Sequence, residues 1–306
     1  MTALLPEVAA RVFNTPLMIH PGKAAAMLQG VGGRIVEGGV EMSGALPIHH
    51  VAFENGRPSA GRISDRMGRW YDSNKVDMLD RVGPVAVIGV EGTLVHKGAF
   101  VGMSSGRTSY QGLQTQIVRA ARDPKVKGVA FEVDSFGGMV SGAFETASMM
   151  AELSKIKPTI SILTDHALSA GYLLASAARV VVMPEHGAAG SMGVITLHAD
   201  YSAALAKDGV RVTILHAGAH KADGNPYEPL PKEVADRIRG SLERARQSFA
   251  EHVGRFRGNR LTAKAALATE AQDYDGRDAV ALGLADAVGD ANEAFANFIA
   301  AVNKRR

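Results

Sequence analysis

The sequence predicts an α/β domain built on a largely parallel sheet. Apolar runs of strand length recur at residues 85–90, 128–133, 158–163 and 179–183. Segments with helical apolar spacing alternate with them, such as Tyr110, Leu113, Ile117 and Ala121. Glycine-rich or small-residue junctions follow the strands, at 91–97, 135–138, 167–171 and 187–193. Continuous apolar strands suit a sheet buried on both faces, and strand–helix alternation suits parallel pairing. Such junctions gather at the carboxyl ends of the strands, where ligands bind.

Taken in order, residues 1–80 read as an N-terminal extension, partly irregular. Residues 8–13 and 23–28 suggest short helices, separated by Pro16 and by Pro21-Gly22. Glycines make 30–39 a loop or edge strand, and 57–69 is polar. Trp70, the only tryptophan, is expected to anchor packing. The main domain is expected over 81–290. It opens with the strand at 85–90, a turn region at 91–98 and a loop at 99–107. The helix from Tyr110 stops at Asp123-Pro124. A strand at 128–133, a helix at 139–153 and a strand at 158–163 follow. Further strands are expected at 179–183, 194–197 and 210–215, with a short helix at 200–207 between the last two. Residues 216–231 read as a loop. From Pro231 a helix carries Val234, Ile238, Leu242, Ala245, Phe249 and Val253 on one face. A helix at 261–269 is capped by Thr262. Asp275-Gly276 interrupts, 277–282 resumes the helical pattern, and 291–306 closes the chain as a C-terminal helix.

Composition narrows the function. The 306 residues are 46% hydrophobic and 21% charged, as in ordinary soluble domains. The net charge of +3 gives no reason to expect nucleic-acid binding, even with the Lys304-Arg-Arg306 tail. The chain has no cysteine, which excludes disulfides, thiolate metal sites and a cysteine nucleophile. No apolar run reaches the ~18 residues of a membrane span. Glu7 and Arg11 interrupt the N-terminal apolar stretch, so no signal peptide is expected. The expectation is a cytoplasmic protein with no membrane anchor, no cofactor and no metal. His49-His50 adjoin without metal-ligand spacing, and no phosphate-loop glycine pattern occurs.

The chemistry centres on 164–178. Ser169 follows a strand, is flanked by Ala167 and Gly171, and starts an apolar helical run. A serine there resembles a nucleophile elbow, with Ala167 at its first glycine position. It also suits a plain helix N-cap. Gly137 and Gly138 are expected to open a helix, their N–H groups facing a developing oxyanion or merely making a tight turn. A serine nucleophile needs a base. His186, His198, His216 and His220 are candidates, and His186 or His198 with Asp200 would complete a triad, but no spacing is diagnostic. A lysine also serves if desolvation lowers its pKa from about 10.4 toward neutrality. Lys221, in a loop after an expected strand, is one such candidate beside the plain surface reading.

Five motifs in one order carry a resemblance: 85–94, 129–138 with Asp134-Ser-Phe-Gly-Gly138, 167–172 around Ser169, 189–195 around Ser191, and the loop at His220-Lys221. The chain from about 84 to 290 resembles the serine peptidases that include signal peptide peptidase A and the phage protein C-type head-maturation proteases. The resemblance implies a ClpP/crotonase-like spiral of β-β-α units and a Ser–Lys dyad. It makes Ser169 the nucleophile, Lys221 the base and Ser191 the residue that orients the lysine. Gly138 with Ala170, and Gly137 beside them, would hold the oxyanion. Met139 and Phe136 would line the substrate site, Met139 with small neighbours suggesting small or apolar P1 side chains. Phe136 departs from the family's usual proline, and Ala170 stands where many members have glycine. Asn14–Lys23 resembles the phage branch, which implies capsid scaffold or portal proteins as substrates, in the host cytoplasm or prohead. A homo-oligomeric ring or dome is implied, with serine and lysine from adjacent chains. Ser169 and Lys221 are therefore expected not to touch within one chain. The alternatives are a signal-peptide-peptidase-like protease, a crotonase-like acyl-CoA enzyme and a non-catalytic capsid assembly protein.

Overall fold

The computed structural model describes residues 14–25, 69, 72–75, 77–97 and 106–304. The expected features at 8–13, 26–28, 30–39 and 57–68, with His49-His50, Trp70 and 99–105, lie outside the described residues.

The chain builds two sheets by repeating a β-β-α step. Strand β1 (Leu17–Ile19) stands apart near the N-terminus, and β2 (Asp80–Val82) turns back antiparallel into β3 (Val85–Glu91). Then β4 (Thr93–Val95) and β5 (Arg107–Ser109) lead to helix α1 (Tyr110–Arg122). The step repeats as β6 (Gly128–Ser135), β7 (Gly137–Met139) and α2 (Ala143–Ile156), and again begins as β8 (Thr159–Leu168) and α3 (Ala170–Ala175). Strands β9 (Val180–Met183) and β10 (Ala188–Gly190) precede helices α4 (Ser202–Lys207), α5 (Lys232–Arg257) and α6 (Ala263–Ala268). Strand β11 (Asp273–Asp275), helix α7 (Gly276–Ala281), strand β12 (Ala287–Val288) and helix α8 (Ala291–Lys304) complete the order.

The first strand of each step joins the large sheet, ordered β11-β10-β8-β6-β3-β2, with β9 on β8 and β12 on β9. The second strand joins a small sheet, ordered β1-β7-β4-β5. In the large sheet β3, β6, β8, β9 and β10 are parallel, as the apolar runs predict.

Side-chain alternation explains the two-sided burial. Ile88, Val90, Phe131 and Val133 face α1, α2 and α3 in the main core, among Leu113, Ile117, Met150 and Leu173. Val85, Ala130, Ile160 and Ile162 face the other way, against Phe298 and Val302 of α8. Gly128 permits that close approach: a Cβ there would lie 2.7 Å from Val302. Ser109 caps α1 by accepting from the Gly112 N–H, and Thr262 caps α6 through the Ala265 N–H.

Several expectations need correction. Residues 137–138 do not open a helix; they form strand β7, and the helix starts at Ala143. The turn region at 91–98 contains a strand, β4. These three-residue strands take their pairing from distant neighbours, so local pattern does not reveal them. The strand expected at 194–197 is reduced to isolated bridges, one of them between Ile195 and Leu17. The strand expected at 210–215 has no sheet partner among the described residues; its backbone is irregular, and Val210, Val212 and Leu215 are exposed.

Candidate active site

Strand β8 ends against β10, with Leu168 opposite Gly190. The next residue on each strand is a serine, Ser169 and Ser191, so the two sit side by side at the carboxyl edge of the sheet. Both take a φ of 55°, in the left-handed region that costs a non-glycine residue about 1–3 kcal/mol. Ser169 N–H donates to the Gly190 carbonyl at 2.8 Å, and Ser191 N–H to Gln272 at 2.9 Å. These bonds hold the strained turns.

Ser169 occupies the N-cap position of α3, yet its side chain makes no capping hydrogen bond. Its Oγ is buried and has no hydrogen-bond partner among the described residues. A cap would use that oxygen. A strained serine with an unused buried hydroxyl at a strand–helix turn has the form of a nucleophile instead.

Strand β7 lies against this serine. A Cβ on Gly137 would stand 3.0 Å from Ser169 Cβ and 3.1 Å from Ala170 N. Gly137 adopts a φ of 96°, so only glycine fits here. Its N–H is already taken by Ser135 Oγ at 3.1 Å, while Ser135 Oγ itself donates to the Gly92 carbonyl at 2.6 Å. Gly137 is thus a spacer; of the other two residues expected at an oxyanion, Gly138 is paired with Met18 of β1, and the Ala170 N lies beside Gly137. Tyr110 pins the far end of β7, donating to the Met139 carbonyl at 2.8 Å. Burial pushes the Tyr110 phenol well up, so it stays a donor.

Phe136 is half-buried at the rim. Its ring stacks on His166 at 4.7 Å, His20 lies 6.2 Å away, and Lys23 Nζ is 5.8 Å from its centroid. A register shift between β6 and β8 makes this contact: Val133 pairs with Leu163, but Ser135 pairs with Ala167. The extra residues on β8 push Asp165 and His166 outward, as bulges near functional sites do. One ligand atom each of Asp134, Asp165 and His166 lies within 4.8 Å of the others. His166 Nδ1 approaches Asp165 Oδ1 to 2.9 Å, off the hydrogen-bonding direction. Of these three donors, the Asp165 carboxylate is exposed and the other two residues are half-buried.

Lys221 is not brought to Ser169. Its side chain is exposed, in a turn where its N–H donates to the Gly218 carbonyl. Of the histidine alternatives, His186 is exposed, and the other three have neighbours other than Ser169. His198 Nδ1 lies 3.3 Å from Asn14 Oδ1, His216 lies against the Gly218 carbonyl, and His220 pairs with Asp223. None is bonded to Ser169. Sequence reading missed His96, beside Ser141 Oγ at 3.1 Å where β7 leaves the sheet. Burial, with Lys97 adding to it, lowers its pKa. Its position after β4 was the one signal for it, and β4 itself was not visible.

This geometry has the form of a serine hydrolase site: a strained buried serine, a glycine backbone packed against it, and no partner on the hydroxyl among the described residues. Residues 151–304 match the sequence profile of peptidase family S49. The chain is 34% identical over 303 residues to the capsid assembly protease C of Escherichia phage lambda, covering 99% of this chain and 67% of that protein. It is 33% identical over 300 residues to the head-tail preconnector protein GP5 of Enterobacteria phage P21, covering 98% of this chain and 58% of that protein. An enoyl-CoA hydratase from Shewanella pealeana has a similar structure, with a TM-score of 0.43, 12% identity and coverage of 73% of this chain and 72% of that one. The chain belongs to peptidase family S49, and it is a serine peptidase. No helix among the described residues is long and apolar enough to cross a membrane.

Proposed function

We propose that this protein is a head-maturation endopeptidase of a phage or prophage, trimming scaffold or portal-associated proteins inside the prohead. The phage relatives, matched over nearly the whole chain, support that setting. The observation that carries the catalytic reading is Ser169: strained, buried, its hydroxyl unused, with Ala170 N and the Gly137 backbone beside it.

Ser169 Oγ attacks the peptide carbonyl while the neutral amine of Lys221 takes its proton. The tetrahedral oxygen receives hydrogen bonds from the Gly138 and Ala170 N–H groups. The lysine ammonium returns the proton to the leaving amine, which departs as the new N-terminus. Water, deprotonated by the same lysine, then releases the acyl group and regenerates Ser169. Ser191, beside Ser169, orients the lysine. A lysine acts as base only where it is desolvated, and Lys221 is exposed in the single chain. A neighbouring copy therefore supplies Lys221 and covers it.

The test is labelling with a fluorophosphonate, with hydrolysis of a capsid-scaffold substrate measured in parallel. Wild type labels; Ser169→Ala and Lys221→Ala lose activity by about a thousandfold or more. Retention of label by Ser169→Ala removes the nucleophile assignment. Activity that returns when the two inactive variants are mixed supports a dyad shared between chains.

A further inference from the structure

Strand β1 lies where a substrate would. It runs antiparallel to β7 with Leu17 opposite Met139, Met18 opposite Gly138 and Ile19 opposite Gly137. On its other side Leu17 N–H donates to the Ile195 carbonyl at 2.8 Å, and Ile195 N–H returns the bond at 2.9 Å. The backbone groups of Leu17 thus point away from β7. Alternation turns those of Met18 toward it, as His20 N–H confirms by donating to the Phe136 carbonyl at 2.9 Å. The register therefore sets the Met18 carbonyl facing Gly138 N–H, the donor assigned above to the oxyanion. Met18 O also stands 2.1 Å from the point where a Gly137 Cβ would be, the same point on which Ser169 Cβ and Ala170 N converge.

A peptide carbonyl in an extended strand, placed on the oxyanion backbone beside the nucleophile, is how a peptidase receives its substrate by strand addition. The strand fills the groove as a ligand would. Leu17 and Ile19 are buried with Met139, Ile195 and Leu197, while Met18 is buried in the main core. Thr196 Oγ1 donates to the Thr15 carbonyl at 3.2 Å, and Asn14 N–H to the Leu197 carbonyl at 2.8 Å. Ser169 under it is 1% exposed.

We infer that residues 14–20 are a built-in pseudosubstrate. They hold the groove between β7 and residues 195–197 closed, and they report its ligand: an extended peptide with aliphatic side chains at alternate positions. This rests on the peptidase reading of Ser169 and Gly138. The strand leaves before a substrate enters, so the described state is self-inhibited.

The absence of cysteine from the chain gives a clean test. The double substitution Leu17→Cys with Ile195→Cys joins two directly opposed positions, within the reach of a disulfide. With the crosslink verified by mass, the oxidised enzyme is expected to lose fluorophosphonate labelling of Ser169, and reduction to restore it. Equal labelling in both states overturns the inference and leaves the nucleophile standing. No labelling in either state, or by wild type, overturns both. In a second variant Leu17→Asp with Ile19→Asp expels the strand. If the strand is seated nine-tenths of the time, the labelling rate rises about tenfold. A synthetic peptide of residues 14–20 then competes with the label. A folded variant, checked by circular dichroism, that labels no faster, or a peptide that does not compete, overturns the inference.

Discussion

At the scale of single residues, the site stores strain. Ser169 holds a φ of 55° that glycine would take freely. Ser169→Gly is expected to raise stability over Ser169→Ala by about 1 kcal/mol in urea unfolding, both being inactive. Equal midpoints would mean the turn carries no strain. Gly137→Ala goes the other way. Its Cβ would meet the Met18 carbonyl at 2.1 Å and Ser169 Cβ at 3.0 Å, at a φ of 96°. A loss of about 3 kcal/mol, with activity abolished, is expected.

At the scale of elements, the helices behind the site are tied to the sheet by one buried ion pair. Arg257, at the end of α5, is fully buried and makes two bonds to Asp286, at 2.9 and 3.0 Å. Asp286 also accepts from Val181 N–H of β9 at 2.7 Å and from Arg260 at 2.8 Å. Burial pushes the Asp286 carboxyl up, but Arg257, with Val181 and Arg260 adding to it, outweighs this and holds it below its ordinary 3.8. A depressed carboxylate contributes stability at pH values above 3.8, lost as pH falls through the lower folded value. Asp286→Asn leaves Arg257 buried without its counter-charge, and a loss of about 3–5 kcal/mol at neutral pH is expected. Its denaturation midpoint should fall less than that of wild type between pH 4 and pH 2, within about one unit. An acid limb as steep as that of wild type would place the protonation elsewhere.

At the scale of the molecule, the proposed dyad is not assembled within the single chain. Among the described residues the Ser169 hydroxyl has no partner, Lys221 is exposed, and residues 210–215 just before it have strand composition without a strand partner. Leu215 is 90% exposed. Unpaired apolar strand segments are templates for pairing with another chain. Leu215→Asp is expected to lower the mass measured by light scattering toward that of one chain and to abolish activity, with helix content unchanged. A variant that assembles and cleaves like wild type would remove this segment from the interface.

The parallel sheet was legible because β3, β6, β8 and β9 are apolar runs whose burial on both faces needs no knowledge of neighbours. The long helices were legible for the same reason: α5 shows its apolar stripe in any window, and Thr262 shows its cap. Ser169 was visible as a serine at a strand–helix turn, and the ordered motifs around it selected the family. Strands β1, β4 and β7 were not legible. Each is three residues long, and its partners lie far off in the chain, as Leu17 of β1 bonds to Ile195, so no local period marks it. The same reason hides the role of Gly137-Gly138: local pattern suggests a helix opening, and only the flanking strands β1 and β4 make it a strand. Sequence by itself determined the fold class and the chemistry-bearing residue types, because periodicity and side-chain chemistry are local. Only the tertiary structure decided which backbone faces Ser169, that Met18 pairs with Gly138, and that Lys221 stands apart, because these are matters of pairing between distant segments.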